Sequence, residues 1–245
     1  MIGRVTVAEF GNAEQILVGE GDSDYERYIR TPELLVLQPE PDSWVHRDEL
    51  LFTVTHQSSE LWLKLAVSEI EYSLEKIRER NFAAATRLLK RVNLCITYCT
   101  QQLGILEQLT PWEYQKVRLA LGHGSGFDSP GFRAIRRVIP RLGFEFDNAL
   151  KSEEISLEEL FINFENHEGL FQLAEALIDV DELLMAWRAV HFRVVERTIG
   201  LEVKGTQGTP VEVVGGIRDK QAFPDLWRVR SELTRRADQE LRTTM

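Results

Sequence analysis

The sequence lacks the features that mark secreted, membrane-spanning or disulfide-stabilised proteins. It has only two cysteines, Cys95 and Cys99, one helical turn apart, and neighbours at that spacing rarely have disulfide geometry. No apolar run approaches the roughly 20 residues of a membrane span, and the N-terminus has no basic flank followed by an apolar stretch. We therefore expect a cytoplasmic protein with no membrane partner.

Positive charge is also scarce. The 245 residues include 29 Lys and Arg against 39 Asp and Glu, which gives a formal net charge of -10. The basic residues at 133–141 and 228–236 are interleaved with apolar or acidic ones. Because nucleic acids and anionic lipids require a positive surface, the composition predicts no nucleic-acid partner.

The short motifs of several enzyme classes are absent. The chain has no HExxH, paired CxxC, EF-hand, GxSxG or dinucleotide-binding motif. Its one glycine-rich stretch, Gly122-His-Gly-Ser-Gly126, has no Walker lysine and follows no predicted strand. A turn that lets the backbone approach a ligand fits this stretch better than a phosphate-binding loop.

The chain does contain long stretches of helical periodicity, which predict an all-α fold. Its hydrophobic fraction of 43% is sufficient for a packed core. Three long helices are expected, with Asn81 as the N-cap of the second and Gly200 ending the third. The expected long helices cover residues 47–79, 81–109 and 167–198.

Weaker patterns complete the prediction. Capping sequences start helices at Thr110-Pro-Trp-Glu113 and Ser156-Leu-Glu-Glu159. A short helix is expected over Phe132 to Ile139, and a terminal helix from about Phe223. Residues 201–222 are predicted to be irregular, with a possible strand at 211–214. Residues 1–23 form an arm, after which Thr31-Pro32 caps a helical turn.

Two histidines lie on apolar helical stripes. Phe52, His56 and Glu60 recur at four-residue steps in a segment apolar on nearly all sides, which indicates a buried helix. His191 lies between Trp187 and Val195 at the same spacing. Each is either a hydrogen-bonded core histidine, with a helix-dipole role possible for His191, or a functional imidazole such as a haem ligand.

Six ordered sequence blocks carry a resemblance. Together they are similar to the motifs of the tryptophan 2,3-dioxygenase family of haem enzymes, over residues 25 to about 227. The blocks are Tyr25-x-x-Tyr28-Ile29; Asp48-Glu-Leu-Leu-Phe52-x-x-x-His56-Gln-x-x-Glu-Leu-Trp62-x-Lys64; Leu109-Thr-Pro-x-Glu-Tyr114-x-x-x-Arg118; Ser125-Gly-Phe127-x-Ser129; Trp187-Arg-x-x-His191; and Arg197-x-Ile-Gly200.

The resemblance implies an all-α helical bundle in one catalytic domain, residues 1–245, that assembles as a homotetramer. It implies that haem b is the cofactor and O2 the co-substrate. Residues 1–40 would form an arm that contributes to a neighbouring subunit. In this arm, Tyr25, Tyr28 and Ile29 match residues laid over the neighbour's substrate pocket.

The resemblance also assigns roles to residues around the haem. His191 matches the axial ligand of the iron, with Trp187 beside it in the haem pocket. His56 matches the distal histidine that hydrogen-bonds the indole N–H, and Phe52 matches the ring packed against the indole. Ser125 and Gly126 match a loop near the haem edge and the substrate.

Three further residues match the part of the family site that binds the amino-acid end of the substrate. Arg118 suits a bidentate contact with a carboxylate, and Tyr114 lies one turn before it. Thr206 matches a threonine in a Gly-Thr-Gly-Gly loop.

The chain departs from the family pattern at the periphery of the expected site. The loop after Gly205 reads Thr-Gln-Gly-Thr-Pro, Asp128 replaces a glutamine, and Leu103 stands where a tryptophan is expected. The region between Arg137 and Glu165 is shorter than in the catabolic enzymes. These changes predict a divergent member that acts on L-tryptophan or a substituted tryptophan.

The predicted activity is insertion of O2-derived oxygen at the indole C2=C3 bond. Monooxygenation to an oxindole or hydroxyindole in a biosynthetic pathway is the alternative, and no residue decides between them. A non-catalytic haem-binding protein is the alternative of another class. Retention of Arg118 and Thr206, which do nothing for haem itself, speaks against it.

Overall fold

The computed structural model describes residues 16–205, 208 and 210–244. The only β-type pairing within these ranges is an isolated bridge between Lys204 and Pro210, and all other regular elements are helical. The all-α prediction is therefore confirmed. No helix in the described part of the chain is long and apolar enough to cross a membrane.

The chain divides into two compact units, residues 1–44 and 45–245. In the first unit, α1 (Asp24–Ile29) and α2 (Thr31–Leu35) meet at Arg30, whose φ of 60° is left-handed. The Ser23 hydroxyl accepts a hydrogen bond from the Glu26 N–H and caps α1. The expected cap at Thr31 is wrong by one residue, because Thr31 already belongs to α2.

The second unit is a helical bundle. Its main contacts pack α3 on α4 and α7, and α4 on α9. The helices in order are α3 (Glu49–Arg78), α4 (Phe82–Gln101), α5 (Leu103–Leu106), α6 (Pro111–Ala120), α7 (Pro130–Ser152), α8 (Leu157–Ile162), α9 (Glu168–Ile199), α10 (Val211–Gly216) and α11 (Pro224–Thr244).

A hydrophobic core fills the space between the long helices. Its largest fully buried side chains are branched aliphatic residues, whose removal from water drives the packing. They come from α3, α4, α7 and α9 and include Leu63, Ile70, Leu74, Leu89, Ile96, Ile135, Leu142, Leu173 and Leu177. Cys95 and Cys99 are buried in the same core as free thiols, so the prediction of no disulfide is confirmed.

Side-chain caps fix the helix starts that the sequence predicted. Asn81 accepts a hydrogen bond from the Ala84 N–H, and Thr110 accepts one from the Glu113 N–H. Ser156 and Glu159 form a reciprocal capping box. Each cap satisfies backbone donors that would otherwise lack partners in the first turn.

Three predicted boundaries are wrong. The helix expected to reach Leu109 breaks at Gln102, whose side chain bonds the hydroxyls of Ser58 and Ser59 on α3. The short helix expected over 132–139 is part of the 23-residue α7. This helix continues through Pro140, which lies on its exposed side. Residues 211–214 are helical rather than a strand.

Tertiary packing explains the helix in the loop that was expected to be irregular. Val211 is buried, and a Cβ atom at Gly215 would lie 3.1 Å from the Phe192 ring. The glycine therefore lets α10 lie close against α9. Such contacts override the β propensity of a valine-rich segment.

One side of α3 is left uncovered by the described residues of the second unit. Leu61 is 52% and Leu65 43% exposed, and the partly exposed rings of Trp62 and Tyr98 contact each other at 4.9 Å. Together with Leu94 on α4 these residues form what we call the α3–α4 apolar face. The expectation that α3 is buried on all sides is wrong, since its helix neighbours cover only part of its circumference.

Candidate functional site

The first turns of α3 bring Phe52 and His56 together. Their rings stack with centroids 4.0 Å apart and planes 29° from parallel. The Nδ1 atom of His56 lies 2.7 Å from the Phe52 carbonyl oxygen. A carbonyl can only accept, so Nδ1 carries the proton and Nε2 of the neutral ring is a hydrogen-bond acceptor.

The neutral form of His56 is the favoured one. Desolvation by the surrounding protein lowers its pKa, and the Phe52 carbonyl and the Glu60 carboxylate only partly oppose this effect. His56 nevertheless counts as exposed to solvent within the chain. His56 therefore presents an accessible, uncharged acceptor.

Helix α6 adds a phenol and a guanidinium beside this pair. The Tyr114 ring lies 6.2 Å from the Phe52 ring, and burial raises the pKa of Tyr114 although Arg118 opposes the shift. Arg118 donates hydrogen bonds to the Gln115 side chain and to the Lys204 carbonyl. Both acceptors are uncharged, and no carboxylate among the described residues pairs with Arg118, so its charge is available to an anionic ligand.

A second apolar cluster joins four helices around this region. Leu103, Leu106, Leu109 and Val194 are buried, and Phe52, Tyr114 and Trp187 are among the residues that pack against them. Leu103, which stands where a tryptophan was expected, is 5% exposed in this cluster. The cluster therefore forms a continuous apolar surface, which we call the wall, between α3 and α9.

His191 lies on α9 beside that wall. Its ring stacks on Trp187 with centroids 4.9 Å apart and planes 12° from parallel, and Trp187 packs on Phe132 at 3.9 Å. Burial, and secondarily the charge of His56, lowers the pKa of His191 to about 4. Its imidazole is thus neutral at physiological pH, the form that binds metal ions.

The Ser125 loop is a short 3₁₀ turn held by reciprocal caps. The Ser125 hydroxyl accepts from the Phe127 N–H, and the Asp128 carboxylate accepts from the Ser125 N–H at 3.0 Å. Asp128, one of the departures from the family pattern, therefore stabilises the turn that carries Ser125 and Gly126. Next along the chain, Ser129 bonds to Glu60 on α3.

Two groups of predicted residues cannot be related to this site. Tyr25, Tyr28 and Ile29 belong to the first unit, where they are 69%, 77% and 45% exposed. Thr206 lies outside the described residues. Their roles remain predictions.

Two residues of this region, Glu60 and Phe132, have no predicted role in the site. The four-residue spacing puts Glu60 on the same helix face as His56, and this spacing is the sequence signal that could identify it. For Phe132 the sequence predicts only the start of a helix, and no local pattern indicates its contact with Trp187.

One group of possible metal ligands occurs among the described residues. His46, Asp48 and Glu113 each have a ligand atom within 4.8 Å of the others. However, Asp48 lies 3.6 Å from Nδ1 and Glu113 3.9 Å from Nε2, so the carboxylates face opposite ring nitrogens. The Asp48 backbone N–H also donates to His46 Nδ1 at 3.3 Å, so this arrangement suits a histidine held between the starts of α3 and α6 better than a metal site.

Comparison with known proteins identifies the family. Residues 11–144 and 147–233 match the family described as tryptophan 2,3-dioxygenase. The chain belongs to the tryptophan 2,3-dioxygenase family. The predicted resemblance is therefore confirmed, and the chain is an enzyme of the oxidoreductase class.

Bacterial tryptophan 2,3-dioxygenases align along most of the chain. The protein of that name from Bacillus thuringiensis (strain Al Hakam) is 30% identical over 85% of this chain and 92% of its own length. Those from Shewanella woodyi and Erythrobacter litoralis are also 30% identical, over 86% of this chain and 91% and 99% of their own lengths. Identity at this level is consistent with a divergent member of the tryptophan 2,3-dioxygenase family.

Proposed function

We propose that this family member is a haem-dependent oxygenase that inserts O2-derived oxygen at the indole C2=C3 bond of L-tryptophan or a substituted tryptophan. The observation that carries the proposal is the pair of neutral imidazoles, His56 and His191, on two helices that border one apolar cluster. One imidazole would bind the cofactor and the other the substrate.

The residues around His191 fit a b-type haem. A neutral imidazole is the usual axial donor to haem iron, and aromatic and aliphatic walls suit the porphyrin. His191 would be the axial ligand, with Trp187 packed on its ring and the Ser125–Gly126 loop near the haem edge. When bound, the haem iron supplies the activation of O2, which no side chain can provide.

On the substrate side, Phe52 and His56 would orient the indole. The Phe52 ring offers an aromatic surface, and the His56 Nε2 atom can accept the indole N–H because Nδ1 is committed to the Phe52 carbonyl. This contact would fix the orientation of the indole within the site. Orientation of this kind is the protein's main contribution when the cofactor carries out the chemistry.

The amino-acid end of the substrate would lie toward α6. Arg118 has no acidic partner among the described residues and can bind the carboxylate with two parallel hydrogen bonds. Its contact with the Lys204 carbonyl brings Lys204 near the same end. We assign Thr206 to the same end, and Tyr114 to the wall between the carboxylate and the indole.

We further propose that the protein is a homotetramer. The α3–α4 apolar face, with Leu61 and Leu65 half exposed, is the kind of surface that further copies of the chain cover. The arm of a neighbouring copy, with Tyr25, Tyr28 and Ile29, would then close the substrate pocket. Leu61→Glu should reduce the mass measured by light scattering, and an unchanged mass would contradict the role of this face.

Haem binding by variants at His191 tests the assignment. His191→Ala should not retain haem after gel filtration, whereas wild-type protein and the control His167→Ala should each keep about one haem per chain. Added imidazole should restore haem binding in His191→Ala by filling the space of the lost ring. Full haem occupancy of the alanine variant without imidazole would refute the role of His191.

A further inference from the structure

Glu60 connects α3 to the start of α7. It lies one helical turn after His56, and its carboxylate accepts hydrogen bonds from the Ser129 hydroxyl and from the Gly131 N–H, the latter at 2.8 Å. The carboxylate therefore accepts a hydrogen bond from a backbone N–H of the first turn of α7 that has no partner within the helix. The helix dipole also favours a negative charge at this end. This contact spans 71 residues of sequence.

The two helices are in close contact at this point. A Cβ atom on Gly131 would lie 2.6 Å from the Glu60 carboxylate and 2.7 Å from Leu63 Cβ, both shorter than any normal contact. Only glycine fits there. The position of the α7 start relative to α3 is thus fixed both by hydrogen bonds and by close packing.

The start of α7 is in turn connected to His191. The Phe132 N–H donates to the Ser129 hydroxyl, which is itself bonded to Glu60. The Phe132 ring packs on Trp187 at 3.9 Å, and Trp187 stacks on His191 at 4.9 Å. A continuous series of contacts therefore leads from the helix that carries His56 to the ring of His191.

We propose that Glu60 is a positioning residue that sets the placement of the His191 imidazole relative to His56, through the start of α7, Phe132 and Trp187. The proposal rests on the proposed function of His191 as the haem ligand. Glu60 acts through other residues, because its hydrogen bonds go to Ser129 and Gly131. Residues that orient a metal ligand commonly change metal affinity about 10- to 100-fold when they are removed.

The test compares two substitutions of Glu60. Glu60→Ala should weaken haem binding by about 10-fold, since Phe132 and Trp187 lose their fixed position. Glu60→Gln should recover most of this loss, because the amide oxygen can still accept the Gly131 N–H and the amide nitrogen can donate to the Ser129 hydroxyl. Haem affinity and the absorption spectrum of the ferrous carbon monoxide complex are the readouts.

A matched control separates positioning from general stability. Glu159 also caps a helix, α8, by accepting the Ser156 N–H at 2.8 Å, but α8 does not contribute to the site. Glu159→Ala should lower the thermal midpoint as Glu60→Ala does and leave haem affinity and the spectrum unchanged. If Glu60→Ala also leaves both unchanged, the proposal is overturned.

A measurement on haem-free protein keeps the proposal testable even if the proposed function fails. The near-ultraviolet circular dichroism of Trp187 is obtained as the difference between the wild type and Trp187→Phe. Glu60→Ala should alter this difference signal, and Glu159→Ala should not. Wild-type protein that binds no haem would refute the proposed function, whereas an unchanged Trp187 signal in Glu60→Ala would refute the positioning role.

Discussion

The Nδ1 atom of His56 lies 2.7 Å from the carbonyl oxygen of Phe52, one turn earlier on α3. Because the carbonyl can only accept, this contact selects the tautomer in which Nε2 is the free acceptor. The backbone of α3 therefore prepares His56 to receive an N–H group. It also ties the orientation of His56 to that of Phe52, whose ring stacks against it.

This tautomer leads to a prediction for His56→Ala. Loss of the acceptor should lower kcat/KM for L-tryptophan by about 3- to 10-fold, the value of one hydrogen bond between neutral groups. Steady-state kinetics on haem-loaded protein measures the effect. 1-Methyl-L-tryptophan, which has no indole N–H, is the control substrate, and the kcat/KM for it should fall little in the variant. An equal loss for both substrates would contradict the hydrogen-bonding role.

The guanidinium of Arg118, which has no acidic partner among the described residues, leads to a second prediction. Arg118→Leu should raise KM for L-tryptophan by about 10- to 100-fold, because a charge-assisted contact with the carboxylate is lost. The KM for tryptamine, which lacks the carboxylate, should change little. Haem content should stay at the wild-type level. An unchanged KM for L-tryptophan would show that the carboxylate binds elsewhere.

The lowered pKa of His191 makes haem-free protein sensitive to acid. Its pKa is about 4 in the folded chain against 6.5 in a model peptide. Between these two pH values the unfolded chain binds a proton at His191 that the folded chain does not bind. The free energy of unfolding should therefore fall as the pH drops from 6.5 to 4, by up to about 3 kcal/mol. Above pH 6.5 this contribution does not change.

The control for this pH dependence is His191→Phe, which keeps an aromatic ring and cannot titrate. Urea unfolding of both haem-free proteins at several pH values gives the comparison. The wild type should lose stability below pH 6.5 more steeply than the variant. Parallel curves for the two proteins would contradict the assignment of the shift to His191.

A fourth prediction concerns Asp181, which is fully buried on α9. Its carboxylate accepts hydrogen bonds from the Ala222 and Phe223 N–H groups and from the Trp227 indole. Asp181→Ala leaves these donors without a partner and should cost about 3 kcal/mol of unfolding free energy. The exposed Asp179→Ala is the control, with a change below about 0.5 kcal/mol. Equal effects in urea unfolding would refute the anchoring role.

The sequence predicted those parts of the fold that depend on local signals. Caps at Asn81, Thr110 and Ser156 act within one turn, so the residues themselves reveal them. The true extent of α7 and the helical state of α10 depend on contacts between distant segments, such as Gly215 against Phe192. Such contacts have no signature in the local pattern.

The candidate site shows the same division. His56 and Phe52 were found together because they lie one turn apart on one helix. Phe132 and Trp187 are 55 positions apart in sequence, and only the folded chain brings their rings to 3.9 Å. The role of Glu60 depends on Ser129 and Gly131 in the same way. Helical periodicity identifies a residue's face but not its partner on another helix.

The fate of O2 in the reaction tests the central claim most directly. Haem-loaded, reduced protein would be mixed with L-tryptophan, and with β-methyl and ring-substituted analogues, under isotopically labelled O2, and the products weighed by mass spectrometry. The proposed dioxygenation predicts two labelled oxygen atoms in a ring-opened product. One labelled atom would mean monooxygenation of the indole instead, and a product set without any label would contradict the proposed oxygenase function.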